Sequence, residues 1–198
     1  MIQPPCVVIL AAGQGSRYRQ VAGEGQNKLL ADCHGLDGVV RPVLEQVLIN
    51  LPACLPRRVV VTLPEYVEVM ALVERYGCQV LPLVSAGMGQ SIATAVRATA
   101  DASGWLIMLG DMPFIQTQTI EQVAAALSTA SAAVAQMHGR MGHPVGFGSV
   151  HTQALIGLSG DRGARALLLG ADVQVVSVND PGIFWDIDEP HTLGYAPE

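Results

Sequence analysis

Gly13, Gly15, Arg17 and Lys28 fall within one stretch, "LAAGQGSRYRQVAGEGQNK", directly after an apolar run, "CVVIL". Paired glycines let a backbone turn so that several N–H groups point at one anion. An arginine adds a planar fork of donors for a phosphate, and a lysine adds a movable point charge. The pattern fits a polyanion site. It is not a P-loop, because Ser16 stands where that motif needs a lysine after its second glycine. It is also a poor dinucleotide fingerprint, with Tyr18 in the third glycine position and no acidic residue ending a second strand at the right distance. A tight turn with an incidental arginine is the plainer alternative.

Two acidic stretches supply a counterpart. "WLIMLGDMPF" puts Asp111 just past an apolar run that Pro113 prevents from continuing, and "FWDIDEP" carries Asp186 and Asp188. In an extended segment the latter two share a face. A carboxylate at a strand mouth beside phosphates is a natural magnesium ligand. Alternatively, Asp111 and Asp188 are helix N-caps. His143, before Pro144, is either a turn hydrogen bonder or a donor to a second substrate. In "SGDRGAR", Ser159 or Asp161 either caps a following helix or, with Arg162 and Arg165, serves an anionic acceptor. The remaining histidines, His34, His138, His151 and His191, lack ligand spacing, so no zinc is expected.

The elements that must position these groups read as strands alternating with helices. "CVVILAA", "RRVVVTL", "CQVLPLV" and "GWLIMLG" are uninterrupted apolar runs, as in parallel strands buried on both faces. Between them "RPVLEQVLINL", "PEYVEVMALVERYG" and "GMGQSIATAVRATADA" carry helical periodicity. "QTQTIEQVAAALST" is a further helix, "SAAVAQM", "HPVGFG" and "DVQVVSV" are later strands, and "DRGARALLLG" is a short helix. This alternation predicts an α/β fold with a mainly parallel sheet, an antiparallel addition among the closely spaced later strands, and ligands beyond the carboxyl ends of the strands. Trp105 is expected in the core. Residues 19–41 are glycine-rich and least patterned, and read as a mobile functional loop.

The 198 residues suit one domain spanning residues 1–198. Eleven basic and seventeen acidic side chains leave a net charge of −6, which argues against a non-specific grip on nucleic acid. No segment reaches the roughly 18 apolar residues of a membrane span, and "MIQPPCVVIL" has no basic leader region. Cys6, Cys33, Cys54 and Cys78 form no CxxC pair, as expected of thiols in a reducing cytoplasm.

The chain resembles the molybdenum-cofactor cytidylyltransferases among the Rossmann-like nucleotidyltransferases. "LAAGQGSR…NKLL", "GMGQSIATAV", "LGDMPF", "GHPVGFG", "LSGDRGARALL" and "DIDEP" occur in that family's order, from about Val7 to Leu193. The resemblance implies a Rossmann-like three-layer α/β/α fold, of the nucleotide-diphospho-sugar transferase type, with a mostly parallel mixed sheet. It implies transfer of CMP from CTP to the terminal phosphate of a molybdopterin-type cofactor, with magnesium bound and pyrophosphate released. A molybdoenzyme or its chaperone is an implied partner. Leu10, Ala11, Ala12, Gly13, Gly15, Ser16 and Arg17 would hold the base edge and triphosphate, and Gly87, Met88, Gly89 and Ser91 would lie beside base and ribose. Lys28 would stabilise the transition state, Arg17 the triphosphate, and Asp111 with Asp188 the metal. His143, Pro144, Asp161 and Arg162 would border the acceptor. "LAAG", rather than "LAGG", leans toward cytidylyl over guanylyl transfer. The insertion "YRQVAGEGQ", Asn27 before Lys28, and the extended "DCHGLDGVVRP" depart from the pattern. Another NTP, a sugar or alditol phosphate acceptor, a non-catalytic nucleotide-binding module and a dinucleotide-dependent oxidoreductase are the competing readings.

Overall fold

A computed structural model describes residues 4–84 and 87–196; the first three residues of the segment read for a leader lie outside it. In chain order the elements begin with β1 (Cys6–Ala11), α1 (Ser16–Ala22), β2 (Asp32–His34), β3 (Val40–Pro42) and α2 (Val43–Ile49). Then come β4 (Arg58–Thr62), α3 (Val67–Arg75), β5 (Gln79–Pro82), α4 (Met88–Ala98) and β6 (Gly104–Leu109). The chain continues through α5 (Thr117–Ala126), β7 (Ala132–Met137), β8 (Arg140–Gly148), α6 (Thr152–Ile156) and β9 (Val173–Ser177). Seven strands form one sheet in the order β5-β4-β1-β6-β8-β7-β9. Only β8 runs against its neighbours, pairing antiparallel with both β6 and β7. The later antiparallel addition is therefore one inserted strand.

The period-2 rule explains the layers. Val7, Ile9 and Ala11 of β1 point to one face, where they pack with Leu44 and Val47 of α2, Leu72 of α3 and Ile120 of α5. Cys6 and Val8 point to the other, against Ile92, Ala95 and Val96 of α4 and Leu155 of α6. A central strand covered on both sides has no polar face, which is why "CVVIL" reads as continuous apolar sequence. Trp105 is fully buried and donates its indole N–H to Thr99 Oγ1 at 2.8 Å, so it belongs to the core. The four cysteines are unpaired, and burial pushes the Cys6 and Cys33 thiols up to about 11.

Two expectations are corrected. Residues 19–41 are not an irregular loop: they complete α1, add a 3₁₀ turn at Lys28–Leu30, and form the β2–β3 hairpin. Buried Tyr18, Leu29 and Cys33 anchor these pieces. Elements this short carry no readable periodicity. "ARALLLG" is a 3₁₀ helix rather than an α-helix, and neither Ser159 nor Asp161 caps it; the capping position is Gly163.

One distant interaction fixes the C-terminal segment. Asp180, buried beside the start of α5, accepts from Gln116 N–H (2.9 Å), Thr119 Oγ1 (2.7 Å) and Gly182 N–H (3.0 Å). It thus caps α5 from far along the chain and starts the turn Pro181–Phe184 that leads to Asp186 and Asp188. Asp180→Ala strands three donors and is expected to lower stability by roughly 2–4 kcal/mol in urea unfolding; a loss under about 1 kcal/mol contradicts this role.

Candidate active site

β1 ends in the Ala12–Gly15 turn that starts α1. Gly15 has φ +60°, a conformation that favours glycine, and the Lys28 side chain runs 3.6 Å from where its Cβ would stand. Lys28 is set by the 3₁₀ turn behind it, where Asn27 Oδ1 accepts from Leu29 N–H and buried Leu29 anchors the turn. Asp111 follows β6 on the neighbouring strand. Gly110 N–H donates to Leu10 C=O at 2.9 Å, tying the two strand ends together.

The "DIDEP" segment is pinned to the same place. Ile187 N–H donates to the Asp111 carbonyl at 2.9 Å, and the Ile187 side chain is fully buried beside Tyr18, Cys33, Val43 and Phe114. With Ile187 held inward, Asp188 comes within ion-pair reach of Lys28 and Arg17. Lys28 Nζ lies 2.5 Å from Asp111 Oδ2 and 3.6 Å from Asp188 Oδ1, and Arg17 Nη1 lies 2.8 Å from Asp188 Oδ2. Four charges far apart in sequence therefore form one chain of ion pairs. The Lys28 and Asp111 side chains are 11% and 20% exposed, against 74% and 41% for Arg17 and Asp188. The inner pair is thus the better sheltered from screening, and the outer pair contributes little by itself. Neither aspartate caps a helix: Glu189 holds the capping position of the turn that follows.

Beyond the ends of β1 and β6 lies a cleft of about 410 Å³. Leu10, Ala11, Ala12 and Gly13 line it with Lys28 and Asp111, and Gly87, Met88, Ser91 and Asp161 complete it. Gly15, Ser16, Gly89, Pro144 and Arg162 do not line it, and Arg17 and Asp188 stand outside its lining. The glycines of "GMGQS" admit the chain's own backbone. A Cβ on Gly89 would stand 2.6 Å from the Arg162 carbonyl oxygen, and Gly89 N–H donates to Gly160 C=O at 2.8 Å. Gly87 has φ +149° and faces Asp161 and Gly160 at 2.4–2.5 Å from a Cβ built there. The Ser159–Gly163 loop thus closes over the start of α4.

That packing separates the residues expected around the acceptor. Asp161 faces the main cleft, and its carboxylate has no hydrogen-bond or ion-pair partner among the described residues. His143 lines a second cavity of about 180 Å³ together with Arg165, while Pro144 is buried in β8 and Arg162 lines neither space. Of the two arginines weighed for an anionic acceptor, Arg165 lines this cavity. The signal was present in the repeated arginine of "DRGAR", but spacing could not tell which arginine turns inward.

Two polar atoms are buried without a hydrogen-bond partner among the described residues: Asp111 Oδ1 and His143 Nδ1. Burial holds the His143 imidazole below its usual range, opposed by the backbone at Ile107 and by the Asp111 charge. Among the described residues no three His, Cys, Asp or Glu side chains are grouped to hold a metal by themselves. Asp111 and Asp188 with one free buried oxygen fit magnesium, which keeps several waters and takes one or two carboxylates plus substrate phosphates.

Asp186 is a further group at this site. Its carboxyl is raised above the ordinary range by burial first, then by Asp188 and Asp111, with Lys28 opposing. A raised carboxyl loses stability as pH climbs from the unfolded-state value through the folded one. Asp186→Asn is therefore expected to raise the unfolding temperature at pH 7, with the gain vanishing below about pH 4. A gain that persists in acid contradicts the charge origin.

The sequence matches the MobA-like NTP transferase domain over residues 7–175. The purine catabolism protein PucB of Bacillus subtilis (strain 168) is 33% identical over 123 residues, 59% of this chain and 59% of PucB. The chain spans 59%, 29% and 42% of the lengths of the curated relatives it matches. Rv0371c from Mycobacterium tuberculosis H37Rv has a similar structure, with a TM-score of 0.79 at 22% identity over 97% of this chain and 96% of that one. Mth528, a nucleotidyl transferase from Methanothermobacter thermautotroptrophicus, gives 0.78 at 21% identity over 96% and 94%. At these identities the two structures establish the fold, a three-layer α/β arrangement. The sequence match carries the rest: the chain belongs to the MobA-like NTP transferase domain family.

Proposed function

We propose that this chain transfers CMP from CTP to the terminal phosphate of a molybdopterin-type cofactor, releasing pyrophosphate. The observation that carries the reading is the convergence of Lys28, Arg17, Asp111 and Asp188 at the cleft formed by the first glycine motif. The cytidylyl preference rests on the "LAAG" form of that motif.

A phosphate monoester is already anionic near neutral pH, so the acceptor oxygen needs no strong base. It attacks the α-phosphorus in line; the new P–O bond forms as the bond to the β-phosphate oxygen breaks, and pyrophosphate carries the electron pair away. Catalysis then consists of positioning and charge neutralisation. Lys28 moves from Asp111 toward the phosphates and stabilises the transition-state charge, while Arg17 holds the outer phosphates. The backbone from Leu10 to Gly13 approaches the nucleotide closely. Asp111 and Asp188 would hold magnesium, which would supply charge neutralisation at phosphate oxygens. A solved complex of Rv0371c with manganese supports a divalent-ion site on this fold. Asp161, a carboxylate in a cleft for a polyanion, suits the nucleoside end, where the ligand offers hydrogen-bond donors rather than negative charge.

An alditol phosphate acceptor is the second reading. A fold neighbour from Anaerococcus prevotii DSM 20548 is a 4-diphosphocytidyl-2C-methyl-D-erythritol synthase, with a TM-score of 0.70 at 14% identity. A molybdopterin-guanine dinucleotide biosynthesis protein A from Archaeoglobus fulgidus shares the fold as well, at 0.64 and 19%.

Lys28→Met and Asp111→Asn keep side-chain size while removing charge. Each is expected to slow magnesium-dependent pyrophosphate release from CTP by about 100-fold or more, with the far-ultraviolet spectrum unchanged. Turnover near wild type in both variants removes the mechanism. In a thermal-shift panel with magnesium, CTP is expected to stabilise the chain more than GTP, ATP or UTP; a larger shift with GTP transfers the assignment to guanylyl chemistry.

A further inference from the structure

Among the described residues two acidic side chains line the main cleft, and the phosphate chemistry uses only Asp111. The other, Asp161, stands where the Ser159–Gly163 loop meets the start of α4, and its carboxylate has no hydrogen-bond or ion-pair partner among the described residues. The loop fixes its position. On one side Gly160 C=O accepts from Gly89 N–H at 2.8 Å; on the other, the Arg162 carbonyl oxygen lies 2.6 Å from where a Gly89 Cβ would stand. Gly87, at φ +149°, comes so close that a Cβ there would collide with Asp161 Oδ1. With both flanking residues set against the helix, the backbone carrying Asp161 is in place before a ligand arrives.

The rest of the cleft limits what this carboxylate can meet. Lys28 and Asp111 mark the phosphate end, and a second carboxylate would repel the phosphates. Asp161 instead shares the α4 wall with Gly87, Met88 and Ser91. Met88 offers a polarisable thioether, a group that packs well against aromatic rings. A carboxylate only accepts hydrogen bonds. The exocyclic amino group of cytosine donates to it. The carbonyl that uracil carries at the same ring position points lone pairs at it, so the bond is lost and repulsion is added.

We propose that Asp161 reads the base: its carboxylate accepts from the exocyclic amino group and so admits cytosine while rejecting uracil. The inference rests on the transferase reading and deepens it. It also moves Asp161 from the acceptor border, where the family resemblance would put it, to the nucleotide. Adenine and guanine carry amino groups too, so this carboxylate acts against uracil and leaves the exclusion of purines to other parts of the cleft. Ribose hydroxyls are also donors, but CTP and UTP share the same ribose, so a contact there cannot tell them apart.

The test titrates CTP and UTP, each with magnesium, calorimetrically into the full chain and into its Asp161→Asn and Asp161→Ala variants. No acceptor is present, so an acceptor contact cannot contribute. The wild-type chain is expected to bind CTP at least about ten-fold more tightly than UTP. Asp161→Asn keeps the side-chain shape and adds an N–H donor for the uracil carbonyl. It is expected to weaken CTP, strengthen UTP and shrink their ratio by about ten-fold. Asp161→Ala is expected to remove the preference mainly by weakening CTP. Asp161 is exposed, so neither change opens the core. A preference retained in both variants overturns the assignment, as does a wild-type chain that binds UTP as tightly as CTP. An equal loss of CTP and UTP in the variants overturns it too, since a ribose contact or a purely structural role beside the start of α4 would produce that result. In each of these cases CTP binding to the wild-type chain leaves the transferase reading standing. If no nucleoside triphosphate binds the wild-type chain, the transferase reading falls and takes this one with it.

Discussion

The ion pair between Lys28 and Asp111 is the interaction on which the site depends. It joins a turn near the amino terminus to the end of a central strand, and both side chains are mostly buried. The surrounding packing serves to hold these two groups together. Leu29 fixes the lysine's turn, the left-handed Gly15 turn packs beside its side chain, and Ile187 binds the Asp111 carbonyl and brings Asp188 alongside. Partners buried this way are tightly interdependent, because removing one leaves the other charge poorly solvated.

The same pairing gives the site a defined way to accept its substrate. Lysine and arginine are held by aspartates, so the charges are already balanced before any phosphate arrives. Under the proposed chemistry, substrate phosphates would take over Lys28 and Arg17, leaving Asp111 and Asp188 to hold a divalent ion. The number of favourable contacts is kept while their identity changes. Either ligand alone would leave one set of protein charges unmatched, which couples the two binding events. Asp111 Oδ1, which has no hydrogen-bond partner among the described residues, gives the carboxylate a free lone pair for that exchange.

Much of this was legible in the sequence because strong physical signals carried it. Uninterrupted apolar runs announced strands covered on both faces, and glycines, cations and acids at their ends marked the cleft. Short elements left weaker traces. The α1 helix and the β2–β3 hairpin between residues 16 and 42 are anchored by single buried residues such as Tyr18 and Cys33, too few to set a period. The placing of Asp161 and Arg165 on opposite sides of the α4 start depends on a loop folding against Gly87 and Gly89. Spacing alone does not specify that contact. Asp180 capping α5 from a distant turn was equally invisible, since local cap signatures look only a few residues ahead.

The most direct measurement of the central claim is manganese binding, followed by electron paramagnetic resonance, to the nucleotide-free chain and to its Lys28→Met variant. If Lys28 and the metal share Asp111 and Asp188, removing the lysine's charge frees the carboxylates and tightens manganese by about ten-fold. Unchanged or weaker binding in the variant would contradict a shared site and separate the lysine from the metal.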